Sequence, residues 1–428
     1  MKLIVSNKKN FKKLFNNLIK DRSKRSSKNI DKLVKNIIDQ VKKDGDSALI
    51  KLSKKYDKLE KNKKDLLVSS KTISKYANKV NSKMLEIFKV AIKRIYNYHK
   101  KQYPKNYSLN SEGINLSQRW KAIDSVGLYV PGGNASYPST LIMNIIPAKI
   151  AGVKRIVVVT PSNKGKFNPY VMAILKLLKI KEIYQLGGAQ AIAALAYGTK
   201  TIKPVDKIFG PGNIYVNSAK KQVYGKVGID IIAGPSEILV VADKKNNPDW
   251  IASDLIAQSE HDENAQSILI TDDLIFAKRV QNSIKKLISK IPNNKIIKKS
   301  LNIYGTIIKI RNLNNSYKYI NIIAPEHLHL QTSINNKIYS KVSNAGAVFI
   351  GPYATESFGD YIVGTNHILP TNGTSRFSSG LGVLDFMKRN SCIKINKKGF
   401  KKLSNKTKKM AQVEGLYAHK LSVQIRED

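Results

Sequence analysis

The chain has 428 residues and a formal charge of +45, from 75 Lys and Arg against 30 Asp and Glu, and 42% of its residues are hydrophobic. That length predicts about two to four domains at roughly 100–200 residues each. It also excludes a disordered tail, a disulfide miniprotein and a fibrous repeat. The basic excess suggests nucleic acid or an anionic membrane, but its distribution argues otherwise. Residues 1–100 hold 29 basic and nine acidic residues, whereas 205–273 hold six Lys and 11 acids. Only ten of the basic residues are Arg, the side chain a nucleic-acid reader favours for bidentate contacts. The Lys reads as surface composition, with no specific nucleic acid and no membrane as partner. Cys392 is the single cysteine, which excludes a disulfide framework and a Cys-based metal cluster and fits a reducing, cytoplasmic setting. The apolar run at Met1–Lys8 is too short for a signal peptide. The uncharged stretch 125–148 carries three Pro, three Gly and two Asn, a poor membrane span.

In chain order, residues 1–110 read as helices. Ile30, Leu33, Ile37, Ile38 and Val41 recur at helical spacing, as do Met84, Ile87, Phe88, Ala91 and Ile95. From 125 the pattern becomes short apolar runs alternating with helical segments. Strands are predicted at Arg155–Thr160, Glu182–Leu186, Lys207–Phe209, Ile229–Ile231, Glu237–Ala242, Ser267–Thr271, Gly305–Ile310 and Ala347–Ile350. Helices are predicted at Tyr170–Leu178 and Ala189–Tyr197. This alternation implies an α/β fold with largely parallel sheets covered on both faces. The tail after about 383 reads as helix again, and no tandem repeat is visible.

No G-x-G-x-x-G follows a strand, so an ordinary dinucleotide fingerprint is absent. Gly210-Pro211-Gly212-Asn213 stands between a strand and a helix instead, either as a plain tight turn or as a place where backbone approaches a ligand. Gln258 and His261 share one helical face, open to metal ligation or to capping of helix-end carbonyls. Glu326-His327 puts a carboxylate beside an imidazole, on opposite sides if the chain is extended. Such a pair could serve two acid–base steps or be a solvated loop pair. His329 reads as lining a strand. Asp360 and His367 lie in a Gly-rich, Lys-poor region and meet only if the loop folds back. Glu414 and His419 lie on a C-terminal helix at poor spacing for one face. Cys392 sits in Lys-rich surroundings and reads as structural, so an aldehyde-oxidising step would need activated water rather than a thiohemiacetal.

Together these motifs resemble histidinol dehydrogenase. The resemblance is carried, in family order, by Val126–Gly133, Gly187–Leu195, Lys207–Asn213, Ala233–Glu237, Gln258–His261, Ala324–Leu328, Gly359–Tyr361, Asn366–Thr371 and Glu414–His419. It implies NAD-dependent oxidation of L-histidinol through L-histidinal to L-histidine, with two NAD and one water, the last step of histidine biosynthesis. By resemblance, Gln258, His261, Asp360 and His419 would hold one zinc per subunit, and Glu326 and His327 would be the acid–base pair. The substrate would meet Ser236, His367 and Glu414 besides His327 and the metal ligands. Tyr129, Gln190 and Asn213 would line the NAD site. The family's fold implies two incomplete Rossmann-like parallel-sheet units with small helical terminal segments in an intertwined homodimer, Glu414 and His419 entering the partner's site. The expected division is 1–21, a first unit of 22–125 with 240–381, a second of 126–239, and a helical dimerisation segment of 382–428. His329, Ala354-Thr355-Glu356, Thr365 and Ser422 depart from the family's usual residues, at positions expected to touch no ligand. Two other readings compete: another zinc- and NAD-dependent alcohol oxidation on this fold, disfavoured by the presence of both His367 and Glu414, and a nucleic-acid-binding protein, disfavoured by the intact set of site residues.

Overall fold

The computed structural model describes residues 1–23, 28–57, 65–132, 137–162 and 165–427. Gly133, the last residue of the first family-like segment, lies outside them. Two parallel sheets dominate. One has six strands in the spatial order Lys2–Val5, Thr306–Lys309, Gln266–Thr271, Glu237–Ala242, His327–Gln331 and Ala347–Ile350. The other has five: Glu182–Tyr184, Arg155–Val159, Ser125–Tyr129, Lys207–Phe209 and Gly228–Ile229.

The apolar runs form these strands because both faces are covered. Glu237–Ala242 and Gln266–Thr271 are buried at every position. Successive side chains go to opposite cores. Ile238 and Val240 meet the helices Pro248–Ser259 and Leu274–Ile288, while Leu239 and Val241 meet Phe15 and the helix Ser316–Ile323. The five-stranded sheet is sandwiched likewise. Val126 and Leu128 pack with the helix Pro138–Ala151, and Val157 and Val159 with Gly188–Tyr197.

Three expectations are corrected. The first residues are not all helical: Lys2–Val5 is an edge strand, paired in parallel with Thr306–Lys309. The stretches around 110 and after 383 are not simply helical either. Met387–Ile395, Ile114–Ala122 and Tyr107–Ser111 build a three-stranded antiparallel sheet ahead of the final helices Lys397–Val413 and Tyr417–Gln424. Thirdly, the helices between residues 28 and 99 pack against the five-stranded sheet, and only Phe11–Ser23 lies against the six-stranded one. Val34, Ile37, Ile38 and Val41 share a core with Tyr129, Val157 and Val159, whereas the expected division attached 22–125 to the other unit. The strand Glu237–Ala242 likewise spans the boundary expected between 239 and 240. No helix of the described residues is long and apolar enough to cross a membrane.

Candidate active site

The parallel sheets place the chemistry at their facing edges. Ser236 and Glu326 immediately precede neighbouring strands of the six-stranded sheet, so they stand at its N-terminal edge. Gly210 follows Lys207–Phe209 and stands at the C-terminal edge of the other sheet, where α/β proteins usually bind ligands. Between these edges lies a cavity lined by Ser236, Gln258, His261, Glu326, His327, Asp360 and His367. A second cavity, lined by Tyr129, Gln190 and Asn213 among others, adjoins it; Tyr137 and Pro211 line both.

His327 begins a strand, and its Nδ1 lies 3.2 Å from the Glu237 carbonyl. A carbonyl can only accept, so this contact puts the proton on Nδ1 and leaves Nε2 as the basic nitrogen. Nε2 has no hydrogen-bond partner among the described residues and lies 3.9 Å from Asp360 Oδ1. Burial foremost, then the neighbouring His329, pushes this imidazole down to about 3. It is therefore neutral with the Nε2 lone pair free, and burial makes it a weaker base than an exposed imidazole. Glu326 accepts a 2.8 Å hydrogen bond from the Glu237 amide on Oε2. Burial raises its carboxyl well above the usual range; the hydrogen bond from the Glu237 amide opposes this, and the charges of Glu237 and Asp360 reinforce it. The two side chains were expected on opposite sides of an extended chain. Instead Glu326 sits in a bend before the strand, and its Oε2 lies 3.7 Å from His327 Nδ1.

The Gly-rich loop does fold back. His367 Nδ1 donates to the Asp360 carbonyl at 3.0 Å, and its Nε2 accepts from Thr140 Oγ1 at 2.9 Å. Burial holds this imidazole down to about 4. Asp360 becomes the hub: its carboxylate is 3.7 Å from His367, 3.9 Å from His327 and 4.0 Å from His261. Burial pushes it up to about 7. His329 lines its strand as expected, buried, with Nδ1 3.3 Å from Asp254 Oδ2.

Glu356 was passed over on sequence and expected to touch no ligand. That expectation is corrected: its carboxylate is 3.8 Å from His261 Nε2 and 3.1 Å from the end of the Gln258 amide. The one signal for it was an acidic residue four positions before Asp360, hence one helical turn away. Thr140 and Tyr137 were missed as well, since neither carries a motif.

The donor set suits a cation. Gln258, His261 and Asp360 converge with Glu356 and Glu326 in a space that no Lys or Arg lines among the described residues. One terminal atom of the Gln258 amide faces both Glu356 oxygens and the Glu237 carbonyl, each at 3.1 Å, and His327 Nδ1 at 3.0 Å. Amide nitrogen satisfies the two carboxylate oxygens and the carbonyl but not a protonated His327 Nδ1, whereas amide oxygen accepts from that Nδ1–H and calls for a positive charge between it and the carboxylate. His419 and Glu414 are not brought to this cavity. Both are exposed on the C-terminal helical segment, Glu414 capping Lys397–Val413.

In the second cavity, Tyr129 is buried and its hydroxyl accepts from the Gly188 amide at 3.2 Å. Asn213 caps the helix Ile214–Val223, accepting from the Tyr215 and Val216 amides at 3.0 and 3.1 Å. Gln190 Nε2 reaches Asp57 Oδ2 at 3.5 Å. Beneath the turn that separates the cavities, buried Lys220 pairs with Asp230 and donates to the carbonyls of Gly210 and Ile231 at 3.0 and 2.8 Å. Asp230 in turn accepts from the Gly210 amide at 2.8 Å.

The chain is similar to known proteins over nearly its whole length. A family model described as histidinol dehydrogenase matches residues 20–427. The chain is 46% identical to the histidinol dehydrogenase of Brucella suis biovar 1, covering 94% of this chain and 93% of that one. It is 47% identical to that of Rhizobium meliloti, covering 94% and 92%. The crystal structure of histidinol dehydrogenase from Elizabethkingia anophelis superposes with a TM-score of 0.94 at 35% identity, covering 100% of this chain and 98% of that one.

Proposed function

The chain belongs to the histidinol dehydrogenase family, an oxidoreductase family, and from that membership we propose that it oxidises L-histidinol through L-histidinal to L-histidine, with two NAD, one water and one zinc per subunit. The reaction is the last step of histidine biosynthesis, and we place it in the cytoplasm. The observation that carries the reading is a single cavity holding Ser236, Gln258, His261, Glu326, His327, Asp360 and His367 beside one lined by Tyr129, Gln190 and Asn213.

Gln258, His261 and Asp360 would hold the zinc, with His419 supplied by the partner subunit of a homodimer. When bound, the metal offers a fixed positive charge for the substrate's polar groups, and NAD accepts hydride. The chain's own residues do the rest. His327 Nε2, left basic by the Nδ1 contact with the Glu237 carbonyl, takes the alcohol proton as the carbon loses hydride and becomes the aldehyde. Glu326, once ionised, takes a proton from water, whose oxygen adds to the aldehyde carbon. The hydrate then loses a second hydride and a proton to give the acid. Burial that raises the Glu326 carboxyl also makes it a stronger base when ionised. His367, held by Thr140 and Asp360, and Ser236 flank the substrate. Glu414 would join them from the partner.

The test is NADH formed per L-histidinol consumed at mildly alkaline pH, with and without a chelator. Two NADH per substrate, L-histidine as product, and activity lost on chelation and regained with zinc are expected. No NADH from folded, metal-loaded protein would reject the reading.

A further inference from the structure

Glu356 is only 2% exposed, and among the described residues no Lys or Arg pairs with it. A buried carboxylate without a counter-charge is costly. The groups around Glu356 show where that charge would sit. Its Oε1 lies 3.8 Å from His261 Nε2, and both oxygens lie 3.1 Å from the end of the Gln258 amide. One ligand atom each from His261, Glu356 and Asp360 falls within 4.8 Å of the others. His419 is exposed and outside this cluster.

Resting on the metal site proposed above, we propose that Glu356 is an additional, in-chain donor to the metal. One chain then carries four candidate donors, Gln258, His261, Glu356 and Asp360, which is the number a zinc ion usually takes. The chain holds the ion on its own residues before a partner's C-terminal segment docks. Arrival of His419 then displaces Glu356, which falls back on the Gln258 amide and keeps that ligand oriented. Metal loading precedes completion of the active site instead of depending on it.

The test uses the full-length chain as wild type, E356Q, H419N, E356Q/H419N and H261N. Each is stripped by chelator and reloaded with Zn²⁺ or Co²⁺. Metal per chain is measured after dialysis, and Co²⁺ absorption reports the ligand field. Circular dichroism and size exclusion establish that each variant is folded, and Glu356→Leu, similar in size and without an oxygen donor, stands in if E356Q is not. E356Q alone should bind nearly as wild type. H419N should keep its metal, with affinity weakened by about 10–100-fold. The double variant should lose it, a non-additive result. Equal binding by H419N and the double variant would overturn the proposal, as would loss of all metal from H419N. Additive weakening by E356Q in both backgrounds would also overturn it, leaving Glu356 to act only through Gln258. Metal retained by H261N is a separate outcome, which would remove the ion from this cluster and with it the underlying site.

Discussion

At the scale of single residues, the site is a set of titratable groups whose protonation is set first by burial, and the backbone of one strand residue orients two of them. Glu237 gives its amide to Glu326 and its carbonyl to His327. The backbone of one residue thus orients the acid and sets the tautomer of the base. His327→Asn keeps a hydrogen-bonding group but removes the basic nitrogen. It should lower kcat by about 10²–10⁴-fold with metal content unchanged, as read by steady-state kinetics and metal analysis. Unchanged turnover would remove His327 from its role. Glu326→Gln should act later in the reaction. With L-histidinal supplied as substrate its rate should collapse, while a single turnover of L-histidinol still yields one NADH. The pH dependence separates the two groups further. The Glu326 carboxyl is raised in the folded protein, so it is protonated and inactive as a base at low pH and gains activity as pH rises through its elevated value. The histidinal half-reaction of the wild type should therefore climb with pH, and that of E326Q should be flatter across the same range.

At the scale of elements, the turn Gly210–Asn213 shows what a sequence can and cannot disclose. Two Gly between a strand and a helix mark a turn. Which ligand it serves, and what holds it, depend on residues far along the chain. A Cβ on Gly210, whose φ is +111°, would stand 2.1 Å from the Tyr129 carbonyl oxygen, so only Gly fits. The support underneath is Lys220–Asp230, a fully buried ion pair. In the sequence these were two ordinary charges, because burial of a Lys is invisible amid so many exposed ones. Lys220→Met should cost about 3–5 kcal/mol, since it strands Asp230 without its counter-charge; urea denaturation measures this. Removing both charges in K220M/D230N should cost less than K220M alone. The strands of the parallel sheets were legible for the opposite reason. Glu237–Ala242 and Ala347–Ile350 are apolar runs bounded by turn residues, and their limits agree with the reading. The antiparallel sheet was not legible. Met387–Ile395 is exposed at all but its first position, so no alternation of burial was written into it. Pairing with Ile114–Ala122, more than 260 residues earlier, is a tertiary decision. Glu356 escaped notice similarly: its neighbours Gln258 and His261 are distant in sequence and meet it only through the fold.

At the scale of the whole molecule, the C-terminal segment is out of keeping with a finished surface. Met410, Val413, Tyr417, Leu421 and Ile425 are exposed at 67%, 87%, 66%, 56% and 61%. Solvent leaves such a series of apolar side chains open only where another surface is to cover them. Glu414 and His419 stand on the same segment, exposed, while the cavity that should use them is built from other parts of the chain. A two-fold dimer with exchanged C-terminal segments reconciles both facts. It also makes a prediction that a chain acting alone cannot meet. Glu326→Gln damages a residue that stays with its own cavity, whereas His419→Asn damages one that serves the partner's. Each variant is expected to be inactive in the full reaction by itself. Unfolded together in equal amounts and refolded, half of the dimers are mixed. In a mixed dimer, the cavity of the H419N chain has an intact Glu326 and receives an intact His419 from the E326Q chain. Random association therefore restores about a quarter of wild-type activity. The other site of the mixed dimer carries both defects and contributes nothing. If His419 served its own chain, every site in the mixture would keep one defect and no activity would return. Size exclusion of the refolded mixture, with NADH formation read across the dimer peak, distinguishes the two arrangements.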